Sequence, residues 1–155
     1  MEWYFIALIV LGSFFFMEFM AWFSHKYVMH GFLWVLHQDH HVPTGKPLQK
    51  NDLFALMFAV PSIILCVLGS LDGIDYRFWI GIGIALYGIA YFLLHDTLVH
   101  ERTRILTSID NNYFRAVVSA HNDHHRGRKN YGFILMFPWK YFKRENQKNL
   151  KRKSW

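Results

Sequence analysis

Three long apolar stretches constrain the possible folds of this chain more than any other feature of its sequence. They cover residues 3–23, interrupted only by Glu18, residues 53–71 and residues 78–94. Each approaches the roughly 20 residues that a helix needs to cross a hydrocarbon core. Because 53% of the 155 residues are apolar, too few polar residues remain to cover three such helices in water. The sequence therefore predicts one all-α membrane-embedded domain over residues 1–155, with about three to four transmembrane helices.

The positive charge is concentrated near the carboxyl end, and it predicts an orientation. Residues 126–129 read Arg-Gly-Arg-Lys, and the tail, residues 143–155, is heavily basic. Basic loops stay on the cytoplasmic side of a membrane. We therefore expect an outside N-terminus, with residues 24–52 and 95–155 at the cytoplasmic face of the membrane. The basic residues are interpreted as a solvated surface near lipid headgroups or as a docking site for an acidic electron-transfer partner.

All ten histidines fall into four short clusters, each beside the predicted cytoplasmic end of a span. In chain order they are His25-x4-His30, His37-x2-His40-His41, His95-x4-His100 and His121-x2-His124-His125. An x4 pair followed by an x2-His-His triplet thus occurs twice. This duplicated pattern indicates two half-sites that form one centre.

The spacing of the triplets suits metal binding, because residues i, i+3 and i+4 share one face of a helix. The members of an x4 pair lie about 140° apart on an ideal α-helix. The x4 pairs therefore either lie at frayed helix ends or reach different metals, and the spacing alone leaves both alternatives open. Ten neutral nitrogen donors are too many for one ion but suit two ions in a shared pocket. The sequence predicts that all ten histidines are ligands of a di-metal site.

The residue types around the histidines limit the chemistry further. Imidazole suits iron, copper, zinc and nickel, and Cys66, the only cysteine, excludes a Cys-based metal site within one chain. The chain also lacks a dinucleotide-binding glycine motif and a Cys-x-x-Cys-His haem attachment motif. Electrons for a redox reaction therefore have to come from an external partner, and no nucleic-acid partner is expected.

Several acidic residues are candidates for accepting the second ring N–H of a ligating histidine. Those inside or beside the clusters are Asp39, Asp96, Glu101 and Asp123. Glu18 lies seven residues before His25, hence on nearly the same helical face. An acid within a span predicts a functional role, and a polar contact between helices is the alternative.

These histidines resemble the HX3-4H, HX2-3HH and repeated HX2-3HH boxes of the fatty acid hydroxylase and sterol desaturase superfamily. Residues 21–31, 36–41, 51–53 and 91–100 resemble the bacterial non-haem β-carotene hydroxylases, and the similarity extends over about residues 18–133. The resemblance implies a di-iron centre held by the ten histidines, with no catalytic residues beyond them. It also implies hydroxylation of β-ionone rings at carbon 3, consumption of O2, and electrons from a ferredoxin with its NAD(P)H-linked reductase.

Other functions use similar residues. A membrane fatty-acyl or sterol hydroxylase or desaturase has the same histidines and a different substrate pocket. A metal transporter is expected to carry its ligands at mid-bilayer, and a bis-histidine haem protein pairs histidines across helices.

Two further patterns concern the spans themselves. The aromatic residues before the first cluster either line a slot for a lipophilic carotenoid substrate or face lipid. They are Phe14, Phe15, Phe16, Phe19, Trp22 and Phe23. Gly81, Ala85 and Gly88 are small residues at helical spacing, and they predict close packing between helices.

Overall fold

The computed structural model describes residues 1–42, 48–103, 111–136 and 139–153. The chain comprises two compact units, Met1–Tyr91 and Phe92–Trp155. The prediction of a single domain over residues 1–155 stays a prediction. Over the described residues the elements are α1 (Trp3–Phe23), a first π-helical segment (Ser24–Phe32), α2 (Trp34–His41), a 3-10 turn (Lys50–Asp52), α3 (Leu53–Leu68), α4 (Tyr76–Phe92), a second π-helical segment (Leu93–Val99), α5 (Asn112–His125) and α6 (Trp139–Lys153).

Three continuous helices are long and apolar enough to cross a membrane. They are Trp3–Phe32, Lys50–Leu68 and Tyr76–Val99, with mean hydropathies of 2.0, 2.0 and 1.7. Side chains along α1 such as Leu8, Phe15 and Phe19 are exposed, which is the arrangement expected of a surface that faces lipid rather than water. The all-α membrane architecture predicted from the apolar stretches is confirmed.

Two of the spanning helices extend beyond the predicted boundaries. The first continues from Phe23 to Phe32, and the third continues from Leu94 to Val99, in both cases as π-helix. The sequence prediction ended both helices where charged and polar residues begin. Backbone hydrogen bonds nevertheless continue past that point, so the first histidines of each half lie on the spanning helices and not after them.

Small residues allow the helices of the first unit to pack closely. A side chain on Gly83 would meet Ser13 Cβ at 2.6 Å and the Val10 carbonyl at 2.7 Å, so α4 touches the backbone of α1. A Cβ on Gly81 would meet the Ser62 carbonyl of α3 at 2.7 Å. The prediction of close packing is thus confirmed at Gly81, whereas a Cβ on Gly88 would meet nothing within 4 Å.

A buried polar contact also joins α1 to α4. The Tyr87 hydroxyl donates a hydrogen bond of 2.7 Å to Glu18 Oε2, and the two residues are 3% and 2% exposed. A carboxylate inside an apolar region is costly unless hydrogen bonds compensate the lost hydration. This is the helix–helix contact that the sequence offered as one interpretation of Glu18.

The second unit is built on the pairing of α5 with α6. Asn111 begins α5 by accepting a hydrogen bond from the Tyr113 amide, as an N-cap residue does. Ala116 and Ala120 of α5 pack against Tyr141 and Phe142 of α6. Since the alanines are small, the aromatic rings of α6 come close to the helix that carries the last histidine triplet.

Adding a methyl group at Gly83 should destabilise the first unit, because the new Cβ would overlap the α1 backbone. We expect Gly83→Ala to lower the free energy of unfolding by about 1–3 kcal/mol. Thermal unfolding of the detergent-solubilised protein measures this effect. The matched control is Gly88→Ala, where the Cβ has space, and equal unfolding temperatures for the two variants would contradict the described packing of α1 on α4.

Candidate metal centre

The two π-helical segments position the x4 histidine pairs. A π-helix is closed by i→i+5 hydrogen bonds, so residues five apart lie above one another. Such bonds run from the His100 amide to the His95 carbonyl and from the Leu33 amide to the Val28 carbonyl, each 3.0 Å long. The ring centroids of His95 and His100 are consequently 4.6 Å apart, and those of His25 and His30 are 5.0 Å apart. Because the backbone is π-helical there, the separation of about 140° on an ideal α-helix does not apply to these pairs.

The triplets lie on ordinary α-helices, as predicted. On α2, His41 Nε2 is 3.1 Å from His37 Nε2, and on α5, His125 Nε2 is 2.9 Å from His121 Nε2. These are i, i+4 pairs on one helical face.

In the first unit, both members of the x4 pair, His25 and His30, lie next to the triplet on α2. One nitrogen each of His25, His30, His37 and His41 lies within 4.8 Å of the others. We call these four residues the first histidine quartet. The chain folds back between Phe32 and Trp34, after Gly31 adopts a non-helical conformation, and this places α2 against the first π-helical segment.

The second unit repeats the arrangement with the equivalent residues. Nitrogens of His95, His100 and His121 lie within 4.8 Å of one another. His100 Nε2 is 3.0 Å from His121 Nε2, and the His125 ring is 4.9 Å from the His100 ring. We call His95, His100, His121 and His125 the second histidine quartet. Burial, together with the neighbouring His95 and His125, lowers the pKa of His100 to about 3, so its ring is neutral at physiological pH, the form that binds metals.

His40 and His124 are the i+3 members of the two triplets and complete the ten predicted ligands. Both are buried, with exposures of 4% and 3%. The His124 ring donates a hydrogen bond through Nδ1 to the Arg128 carbonyl at 3.3 Å. This contact leaves Nε2 of His124 available to a metal ion. The carbonyl is available because the backbone turns at Gly127, which has a φ of +88°.

The nitrogen spacing within each quartet fits a metal ion with adjacent imidazole ligands. Two ligands at right angles on bonds of about 2.1 Å are about 3.0 Å apart, whereas tetrahedral ligands are about 3.4 Å apart. The Nε2–Nε2 distances of 3.1 Å in the first quartet and 3.0 and 2.9 Å in the second are short enough for both nitrogens of a pair to bind one metal ion.

Asn51, which the sequence did not single out as a site residue, orients a histidine of the first quartet. His37 donates through Nδ1 to Asn51 Oδ1 at 2.6 Å. Asp39 in turn accepts hydrogen bonds from the Lys50 and Asn51 amides at 2.6 and 3.3 Å. Asp39 was predicted to bind a histidine ring itself. Over the described residues Asp39 instead binds the backbone N–H of Asn51, and the side-chain oxygen of Asn51 accepts the hydrogen bond from the His37 ring.

The other acidic candidates lie in different surroundings. Asp96 Oδ2 is 3.5 Å from His95 Nδ1, and its other oxygen accepts a hydrogen bond from Arg102 at 2.7 Å. Glu101 is exposed. Asp123 accepts a hydrogen bond of 2.7 Å from the Tyr141 hydroxyl, which together with Arg128 keeps the pKa of Asp123 below its ordinary value. Asp96 thus lies near the His95 ring, its role as an acceptor for that ring stays a prediction, and Asp123 contacts α6.

Replacing Asn51 should weaken metal binding, because His37 would lose the acceptor that fixes its ring and tautomer. We expect Asn51→Leu to reduce iron affinity about 10–100-fold, the usual effect of removing such a partner. Asn51→Asp keeps an acceptor oxygen at the same position and should retain most of the affinity. Iron retained during titration with a chelator measures both, and equal retention by Asn51→Leu and the unaltered protein would contradict this role.

Comparison with known proteins identifies the family. The fatty acid hydroxylase family model matches residues 10–143. Beta-carotene hydroxylase of Pantoea ananas is 40% identical over 143 residues, which cover 89% of this chain and 81% of that protein. Beta-carotene hydroxylase of Pseudescherichia vulneris is 41% identical over 133 residues, covering 83% of this chain and 75% of that protein.

A plant protein is similar over a smaller part of its length. Chloroplastic beta-carotene 3-hydroxylase of Gentiana lutea is 40% identical over 125 residues, 77% of this chain and 39% of the plant protein. No solved structure is significantly similar to the chain. The family predicted from the histidine boxes is therefore confirmed, and the chain is a membrane enzyme that belongs to the fatty acid hydroxylase family.

Proposed function

We propose that this protein hydroxylates carbon 3 of carotenoid β-ionone rings and converts β-carotene to zeaxanthin through β-cryptoxanthin. The observation that carries the proposal is the pair of histidine quartets, in a chain about 40% identical to beta-carotene hydroxylases over most of its length. The balanced reaction takes one C–H bond, O2, two electrons and two protons to one alcohol and one water.

The cofactor of the proposal is a pair of iron ions bound by the ten histidines. The iron supplies O2 activation and the oxidation of an unactivated C–H bond. The chain supplies neutral nitrogen donors at fixed angles, and hydrogen bonds to Asn51 and the Arg128 carbonyl orient the rings of His37 and His124. Because no ring in either quartet carries negative charge, the site leaves the positive charge of the metal uncompensated.

The alternatives differ in how well these observations support them. A fatty-acyl or sterol hydroxylase or desaturase shares the histidine set, so the choice of substrate rests on the identity to carotenoid enzymes. A metal transporter and a haem protein lack support from the family match, and rings 5 Å apart within one unit leave no space for a haem between them.

Pigment analysis tests the reaction and the substrate together. We expect a β-carotene-accumulating bacterial host that expresses this chain to form β-cryptoxanthin and zeaxanthin. The His124→Ala variant should form neither while remaining in the membrane, because one predicted ligand is lost. Unchanged β-carotene in cells that contain well-expressed, iron-loaded protein would instead favour a lipid or sterol substrate, and lipid extracts of the same cells identify that product.

The proposal includes an external electron donor, an acidic ferredoxin with its NAD(P)H-linked reductase, that docks on the cytoplasmic side. Basic residues lie around Asp123, which directly precedes His124 in the chain, and around Tyr141, which is hydrogen-bonded to Asp123. Arg126 and Arg128 are exposed and lie 4.0 and 3.2 Å from the Asp123 carboxylate, and the Lys140 ammonium lies 5.1 Å from the Tyr141 ring. Positive charge beside a metal ligand supports docking of an acidic protein where electrons have to enter.

Inverted and right-side-out membrane vesicles test the donor and the orientation in one assay. Reduced ferredoxin should support hydroxylation in inverted vesicles alone, since an outside N-terminus puts the basic residues on the cytoplasmic face. Arg126→Glu with Lys140→Glu should raise the KM for ferredoxin about tenfold at low salt and less at high salt.

The single variants Lys140→Glu and Lys143→Glu form the matched comparison, because each changes the charge by the same amount on the exposed surface of α6. An equal rise in KM for Lys143→Glu would argue for a nonspecific effect of net charge. Activity in right-side-out vesicles would contradict the proposed orientation.

A further inference from the structure

An apolar groove runs between α1, α3 and α4 in the first unit. Its cavity volume is about 340 Å³, within the range of sites that bind small molecules. The side chains that line it come from the three spanning helices. They are Ser13, Phe16, Met17, Met20, Ser24, Met57, Phe58, Pro61, Ile80 and Ile84.

The groove follows one face of the first spanning helix and ends at Ser24, the residue before His25. The lining positions between Ser13 and Ser24 are spaced three, four, seven and eleven residues from the first, which is one helical face. Eleven residues at 1.5 Å each correspond to a straight path of about 16 Å. The last of them, Ser24, is buried and directly precedes His25 of the quartet. The groove therefore runs from the middle of the span toward its histidine-bearing end.

The chemistry of the walls restricts what the groove can hold. The lining contains two serine hydroxyls and otherwise only apolar side chains. Met17, Met20 and Met57 are flexible and polarisable and adapt to the shape of an apolar ligand. Glu18 follows Met17 in the chain, but its carboxylate accepts the hydrogen bond from Tyr87 and is not part of the lining. A charged or strongly polar substrate would lose its hydration here without compensation.

We propose that this groove binds the polyene arm of the carotenoid substrate, with the ring to be hydroxylated at the Ser24 end. The inference rests on the proposed function and names where its substrate lies. A conjugated polyene is rigid and rod-shaped, so it fits a straight path along one helix face. Of the six aromatic residues that the sequence offered as a slot lining, Phe16 borders the groove although its side chain is 58% exposed. Phe15, Phe19 and Phe23 are exposed and lie outside the lining.

This placement has a consequence for the order of the two hydroxylations. A path of about 16 Å with the histidines at one end presents one ring of the substrate at a time. The second ring extends toward the opposite half of the membrane. The molecule therefore leaves the groove and re-enters in the reverse direction before the second hydroxylation, which makes β-cryptoxanthin a free intermediate.

Filling the groove tests the proposal with two readouts. Met57→Trp adds bulk to the wall of the groove, and the control Val60→Trp adds it three residues away on the same helix, outside the lining. Both side chains are exposed in the structure, at 38% and 48%, so both variants should fold. The first readout is β-carotene retained by the purified protein after incubation in β-carotene-containing liposomes, and the second is the rate of β-cryptoxanthin formation.

We expect Met57→Trp to retain less than a tenth of the β-carotene held by the unaltered protein and to lose product formation to a similar extent. Val60→Trp should resemble the unaltered protein, and the iron content of all three should be equal. Ile84→Phe fills the groove from α4 and replaces Met57→Trp if that variant is not recovered. Retention of β-carotene by the groove variants, or an equal loss in Val60→Trp, overturns the proposal.

The retention readout is independent of hydroxylation. If the unaltered, iron-loaded protein makes no hydroxylated carotenoid, the proposed function fails. The groove proposal is then still judged by whether Met57→Trp and Val60→Trp differ in bound β-carotene.

Discussion

The i→i+5 backbone hydrogen bonds at the ends of two spanning helices are the constraint on which both histidine quartets depend. On an α-helix, His25 and His30 would point in directions about 140° apart, and so would His95 and His100. The π-helical turns bring each pair onto one side, with ring centroids 5.0 and 4.6 Å apart. A π-helix also keeps the backbone amides and carbonyls hydrogen-bonded, which a broken helix near the membrane would not do. The chain thus redirects side chains at the membrane boundary without exposing its backbone.

The duplicated histidine pattern does not extend to the residues that support it. Asp39 and Asp123 occupy equivalent positions in their triplets, two residues after His37 and His121. Asp39 binds the amides of Lys50 and Asn51, whereas Asp123 binds the Tyr141 hydroxyl on α6. In both cases the carboxylate ties a histidine-bearing helix to the segment that follows it. The role is the same, but the partner differs because each half of the chain continues differently.

Two kinds of hydrogen-bond acceptor orient histidine rings, and a carboxylate lies near a third ring. His37 donates to an amide oxygen, His124 donates to a backbone carbonyl, and the Asp96 carboxylate is 3.5 Å from His95 Nδ1. The two hydrogen bonds fix the rings of His37 and His124 and leave the other nitrogen of each available to a metal. A carboxylate also makes the imidazole a stronger donor than a neutral oxygen does. The partners therefore influence how much electron density each ligand gives to the metal, and the two quartets differ in this respect although their histidines correspond.

The sequence by itself determined the membrane architecture and the family and predicted the histidine ligand set, because hydrophobic length and residue spacing are local properties that need no tertiary contacts. The triplets on α2 and α5 followed directly from the 3.6-residue period. The x4 pairs did not, because the choice between an α- and a π-helical turn depends on packing that no residue spacing encodes.

Only the tertiary structure decided which side chains support the histidines. Asn51 is fourteen residues from His37, Tyr141 is eighteen residues from Asp123, and Tyr87 is sixty-nine residues from Glu18. The apolar groove likewise requires three helices to pack side by side. Composition therefore does not distinguish a buried residue that lines the groove, such as Met17, from an exposed one, such as Phe15. Such contacts form between segments distant in the chain, and their partners are fixed by packing geometry rather than by the local sequence.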